Sequence, residues 1–289
     1  MMATEQSSWR YFLCALLIGS GALEQQAMSA QAAAKESGVA ATTYAQSRVA
    51  LAQILPVNDE VLSSAARYRV GINAAQNHSP AAPALCSLVR EASTLGPLIA
   101  SQLSSEEQRL LEQGGAAKAL DALTAGVAQA AQLLPGVGLV VTAEGVRSFV
   151  DYGALANLAA PGSVSQQLLR EMGHLWPSPN GWPVFIEQQT DVGGCTRPEA
   201  LTGPIQRIGE ARPEAPECLK KELEAQLVEA VSTVADSACL CTDEAQSTRA
   251  LRGLAAALNA SGMHEAEPTV ASALSRLPSG QVRFQCVAN

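Results

Sequence analysis

Apolar side chains recur at helical spacing along most of this chain. Leu219, Leu223, Leu227, Val231 and Val234 form one stripe, and Lys220, Lys221, Glu222, Glu224 and Glu229 fall outside it. That is the pattern of a helix with one buried face. Leu251, Leu254, Ala255 and Leu258 repeat it between a start at Thr242, Asp243 and Glu244 and a stop at Gly262. Toward the N-terminus, an alanine-rich stretch from Gln31 to Leu55 is stopped by Pro56. A second helix runs from Asn58 and Asp59, whose short polar side chains suit a helix start, toward Asn77. A third is predicted over Ala84 to Leu95, ended by Gly96 and Pro97. A fourth starts at Ser104, where Glu107 completes a capping box, and closes at Gly114 and Gly115. Further helices are predicted over Thr142 to Ala159, over Ser165 to Trp176 and, shorter, after Pro268.

Three stretches depart from this pattern. Ala122 to Ala143 carries no formal charge, and Asp121 and Glu144 flank it. Gln129, Gln132 and Pro135 interrupt the run, so the expectation is a buried helix pair bent at Pro135, with a membrane-inserting hairpin as the lesser alternative. From Pro177 to Pro216, seven prolines and Cys195 predict an irregular, cross-linked segment without a long helix. In the tail, Val282, Phe284 and Cys286 alternate with Gln281, Arg283 and Gln285, a strand pattern for which Val184 and Ile186 offer a pairing partner. The fold class expected is mainly α: a multi-helix bundle with a proline-rich, disulfide-cross-linked segment and at most a small two-stranded β element near the C-terminus. The expected division is a signal peptide at 1–29, an alanine-rich helical region at 30–160 and a cysteine-containing helical region at 161–289. The last two regions have the option of one shared core.

Composition sharpens this reading. Hydrophobic residues make up 47% of the 289 and aromatic residues only 4%, which suits close-packed helices more than a sandwich filled with large rings. The net charge of -8, with basic residues dispersed, argues against nucleic acid as a partner. Arg10 precedes an uncharged apolar run from Tyr11 to Leu23, and Ala27, Met28 and Ser29 follow. This is a signal-peptide layout, with a mature chain starting near Ala30 or Gln31 in an extracytoplasmic compartment, periplasmic or secreted. Cleavage there removes Cys14 and leaves Cys86, Cys195, Cys218, Cys239, Cys241 and Cys286.

Six cysteines in an exported chain are the arithmetic of three disulfides, with 15 complete pairings open. One residue separates Cys239 from Cys241, so each is expected to reach a different partner. That spacing also fails to match a zinc site, and no metal is expected. Nor is a cofactor, since the glycines, Gly280 after Ser279 among them, form neither a P-loop nor a dinucleotide fingerprint.

Catalytic candidates are weak. Glu171 and His174 stand three apart on a helix and are the acid/base candidates. Cys195 after Gly193 and Gly194 is a nucleophile only if it escapes oxidation. The more distinctive segment is His174 to Pro183, where Trp176 and Trp182 are each followed by proline. Proline stiffens such a loop, so a contact surface of Trp176, Trp182, His174 and Phe185 is expected, against the plainer account that both rings fold inward and pin the loop. The leading functional expectation is an exported non-enzymatic protein that binds a protein or cell-envelope partner, as an adaptor, a secretion or envelope component, or a protective factor. The alternative is a secreted hydrolase acting on envelope material through His174, and the lesser alternative is membrane insertion by residues 122–143.

Overall fold

Short polar side chains set the helix starts. Asn58 Oδ1 accepts the Val61 N–H at 2.9 Å, Ser163 Oγ that of Gln166 at 3.2 Å, and Asp243 Oδ1 that of Gln246 at 2.7 Å. Each relieves one of the amides that a helix N-terminus leaves without a partner. The computed structural model describes residues 41–112, 116–142, 145–177, 182–187 and 194–286, so the expected signal peptide lies outside the described residues. The chain divides into units 1–47 and 48–289. Of the first, residues 41–47 are helical.

The second unit is mainly α. It runs α1 (48–54), α2 (Asp59–Asn77), α3 (Ala82–Glu112), α4 (Ala116–Leu133), β1 (Val137–Thr142), β2 (Gly145–Val150), α5 (Tyr152–Ala156), α6 (Val164–Leu175), β3 (Ile186–Glu187) and β4 (Cys195–Thr196). There follow α7 (Glu199–Ala211), α8 (Glu217–Ala235), β5 (Cys239–Leu240), α9 (Glu244–Ala260), α10 (Glu267–Arg276) and β6 (Arg283–Phe284). The stripe of α8 is buried as its spacing predicts, with Leu219, Leu223, Leu227, Val231 and Val234 all in the core.

Four expectations need correction. The third and fourth helices are one: α3 runs for 31 residues with Pro97 inside it. Its buried positions Val89, Ala92, Gly96, Ile99 and Leu103 stay on one face across the proline, while Pro97 itself is exposed, where water can replace the lost backbone bond. Ser104 is therefore no cap. Its hydroxyl accepts the Val146 N–H at 2.8 Å and lies 3.2 Å from the Val146 carbonyl, fastening β2 to α3.

The charge-free run is the second correction. It is not a helix pair bent at Pro135, and among the described residues of 142–159 only the five of α5 are helical. Helix α4 stops at Leu133, and β1 and β2 pair antiparallel from Val137 with Val150 to Thr142 with Gly145. β-branched Val137, Val140, Val141, Val146 and Val150 favour the pleated conformation. Side chains of α2 close the end of α4: Arg69 donates to the Leu133 carbonyl at 2.7 Å and the Tyr68 hydroxyl to that of Pro135 at 2.6 Å. Leu123, Val127, Leu134, Val137 and Leu139 from this run are buried in the core. Among the described residues no helix is long and apolar enough to cross a membrane.

Third, the proline-containing segment holds a genuine helix, the 13-residue α7, with Pro204 inside it. Leu201, Pro204, Ile205, Ile208 and Ala211 make its buried stripe, and burial of that face outweighs the backbone bond that proline removes. Fourth, the tail does not pair with the segment containing Ile186. The strands form a four-stranded sheet in the order β3-β4-β5-β6, with β3 antiparallel to β4 and the other pairs parallel, so two strands stand between β3 and β6. The β content is thus a hairpin and a small sheet, more than the two strands expected.

All six cysteines outside the signal-like segment are paired. Cys195–Cys241 and Cys239–Cys286 cross-link this small sheet, and Cys239 and Cys241 do reach different partners. Cys86–Cys218 joins α3 to α8, with Cα atoms 6.0 Å apart, and so links residues on either side of position 160.

Candidate functional site

The segment after α6 is shaped by its own backbone bonds. Trp176 follows the last residue of α6 with φ -127° and ψ 77°, and its N–H returns to the Met172 carbonyl at 3.3 Å. Past residues 178–181, which lie outside the described residues, Val184 N–H donates to the Leu175 carbonyl at 3.0 Å and Arg197 N–H to that of Phe185 at 2.8 Å. The loop therefore comes back against the end of α6 and continues into β3.

These bonds gather three rings. Trp176 lies 6.0 Å from Tyr152 at a 48° tilt and 5.9 Å from Phe185 edge-on at 88°. Such tilted and edge-on arrangements suit the charge distribution of aromatic faces and rims. Phe185 is only 2% exposed and serves as floor, not surface. Trp176 and Trp182 are half-buried. Over the Trp182 ring lies the Arg147 guanidinium of β2, its carbon 3.7 Å from the ring centroid.

A cavity of about 330 Å³ opens beside these residues. Its walls come from α3, β2, α8, Tyr152 of α5, Trp176 and the return segment from Pro183 to Ile186. Helix α3 and β2 approach closely here; a Cβ on Gly96 would meet that of Ser148 at 3.1 Å. Two buried donors of the lining have no acceptor among the described residues, Arg147 Nη1 and the Tyr152 hydroxyl. Burial, reinforced by the carboxylates of Glu222 and Glu229 on α8, holds the Tyr152 phenol well above its ordinary range, so it remains a neutral donor. Burial, together with Glu91 and Asp151, does the same to Tyr68, whose donor is satisfied by Pro135.

His174 is not part of this lining. Its ring is exposed, with 63% of the side chain accessible, and Nδ1 lies 3.2 Å from Glu171 Oε2. The same oxygen accepts the Arg207 Nε–H at 2.7 Å. Of the four residues expected to form one surface, Trp176 and Phe185 meet at the cavity and Trp182 is tied to it through Arg147. His174 belongs to a separate polar cluster with Glu171 and Arg207. Arg147 and Tyr152 were absent from the sequence expectation because both fall in the stretch read as one helix.

Cys195 is bonded to Cys241 and offers no thiolate nucleophile in this state. The same bond occupies the sulfurs of the one ligand-like grouping among the described residues, in which donor atoms of Glu187, Cys195 and Cys241 lie within 4.8 Å of one another. Sulfurs joined to each other are poor metal ligands, and the Glu187 carboxylate already pairs with Arg197. No protein-family model, curated protein or solved structure matches the chain.

Proposed function

We propose that this chain is an exported, non-enzymatic protein that binds a protein or cell-envelope partner through the Trp176–Trp182 face. The cavity carries the reading: the half-buried rings of Phe149 and Trp176 line it, and two buried donors in its wall have no acceptor among the described residues. An unsatisfied buried donor costs about 1–3 kcal/mol, which an acceptor supplied by a partner would recover. Export is supported by the three disulfides, which form and persist in oxidising compartments, and by the apolar run after Arg10.

Partner capture by the oxidised protein from its extracytoplasmic fraction tests the reading. A partner retained by the wild type is expected to be lost about tenfold or more in Trp182→Ala, as for a central aromatic contact, with the circular dichroism spectrum unchanged. Trp176→Ala should behave likewise but also lower the melting temperature, because Trp176 packs on Tyr152 and Phe185. Equal retention by wild type and both variants would remove this face from the binding.

One observation favours the hydrolase alternative. Glu171 holds Nδ1 of an exposed imidazole, the way a carboxylate orients a general base whose other nitrogen faces substrate. If that reading holds, hydrolysis of some envelope polymer falls by about 10²- to 10⁴-fold in His174→Ala. Turnover that survives the substitution, or none on any polymer tested, leaves the binder.

A further inference from the structure

We infer that the cavity is a receptor for a carboxylate carried on an apolar body, either a free organic acid or the carboxylate end of a partner's chain. The inference rests on the cavity being the binding site proposed above, and names the chemistry that it takes.

Arg147 sits in the middle of β2, opposite Val140 of β1. No carboxylate of the described residues lies within 4.0 Å of its guanidinium nitrogens, an unusual situation for a charge whose Nη1 is buried. What it does touch is the face of Trp182. A guanidinium stacked on an indole uses its flat face and keeps its N–H edge free for acceptors lying in its plane. That edge matches the two oxygens of a carboxylate.

The Tyr152 hydroxyl is the second free donor, on a side chain almost wholly removed from solvent. Arg147 can only donate and the neutral Tyr152 phenol can donate, so ligand atoms that satisfy both are acceptors. Acceptors that carry charge form bonds roughly twice as strong as neutral ones, which favours a carboxylate over an amide carbonyl. The carboxylates of Glu222, half-buried, and Glu229, exposed and in the cavity wall, both act on the Tyr152 hydroxyl and oppose an anion. The field of Glu229 is screened by salt, and the charge of Arg147, in direct contact with the ligand, is what offsets the two. The remaining walls mix the apolar Pro97, Phe149, Trp176 and Phe185, a surface for an apolar body, with the polar Ser93 and Gln226. At about 330 Å³ the space lies at the small end of ligand sites.

A series of similar size and different charge reads this out on the oxidised full chain: benzoate, benzamide and benzylamine, followed through the indole N–H resonances of Trp176 and Trp182. Benzoate should shift both saturably and bind at least about tenfold more tightly than benzamide, with no saturable effect of benzylamine. Tyr152→Phe removes only the hydroxyl. It should weaken benzoate about tenfold while the melting temperature stays level or rises, since the unpaired donor goes with it. Arg147→Gln should weaken benzoate further, and Arg147→Lys should restore part of the loss. An N-acetylated dipeptide ending in phenylalanine, compared as acid and as amide, distinguishes the sources: an acid about tenfold tighter than benzoate marks a chain end, and an acid no tighter marks a free organic acid. Benzamide binding as well as benzoate, benzoate affinity unchanged in Tyr152→Phe, or no saturable shift with benzoate would each overturn the inference. Should any of these occur while Trp182→Ala still abolishes partner capture, the face binds its partner by other chemistry and the broader reading stands.

Discussion

Replacing Cys86 by alanine and Cys218 by serine is expected to destabilise the fold by about 5 kcal/mol, the largest loss of the three bridges. The two residues lie 132 positions apart, against 46 and 47 for the other pairs. Cross-linking restricts the unfolded chain more as the closed loop lengthens, and the chain-entropy relation gives about 5 kcal/mol for this bridge and about 4 for each of the others. The folded side of the balance points the same way. Cys86 is buried in the face that α3 turns toward the core, while Cys218 sits in the first turn of α8, so the bond secures two helices that pack together. For a unit of this size the loss corresponds to a fall in melting temperature of about 10–20 °C. Denaturation of the three double variants side by side decides the order. A loss for this pair no greater than for Cys239 and Cys286 would show that loop length does not govern the stabilisation here.

The elements that were legible in sequence owe this to local causes. The α8 stripe needs only a 3.6-residue period, and the start of α2 needs only Asn58 reaching an amide three residues on. Pro97 misled because proline punctuates when nothing opposes it, and what opposes it is the continuous face from Leu85 to Leu103 packed on other elements. That face could have been traced through the proline, since Leu88, Ala92, Leu95, Ile99 and Leu103 keep helical spacing across it. The run to Ala143 misled for another reason. A short apolar stretch does not declare its period, and only the concentration of valines after Gly136 pointed to strands.

The candidate site divides along the same line. Trp176 and Trp182 stood out because each precedes a proline a short step apart in sequence. Arg147 and Tyr152 reach them only because β2 docks on α3 and α5 turns back toward α6, contacts between elements and not within one. No local pattern encodes such a meeting. Cysteine pairing shows both cases: the separate partners of Cys239 and Cys241 follow from covalent reach, whereas choosing one of 15 pairings needs the fold.

Gly136→Ala is expected to cost about 4 kcal/mol, although it adds a single methyl group. Gly136 joins the end of α4 to β1 with φ +97°, and its carbonyl accepts the Asp151 N–H at 2.9 Å where the hairpin closes. For an L-residue this φ lies beyond the left-handed helical well near +57°, a strain of about 1–3 kcal/mol. Space is also lacking. The new Cβ would stand 2.5 Å from the Tyr68 hydroxyl oxygen and 2.7 Å from a methyl carbon of Leu155. Both side chains are buried, and Tyr68 cannot swing away without giving up its bond to the Pro135 carbonyl, so overpacking adds about 1–3 kcal/mol. Gly162→Ala supplies the control. That glycine has φ +73° and nothing within 4 Å of its would-be Cβ, so it should lose only the backbone part, about 1 kcal/mol. The difference between the two variants in chemical denaturation reports the steric cost together with the extra backbone strain at φ +97°. A Gly136→Ala loss no larger than that of Gly162→Ala would mean that Tyr68 and Leu155 do not close over this turn, and the anchoring of the hairpin that carries Arg147 would need another explanation.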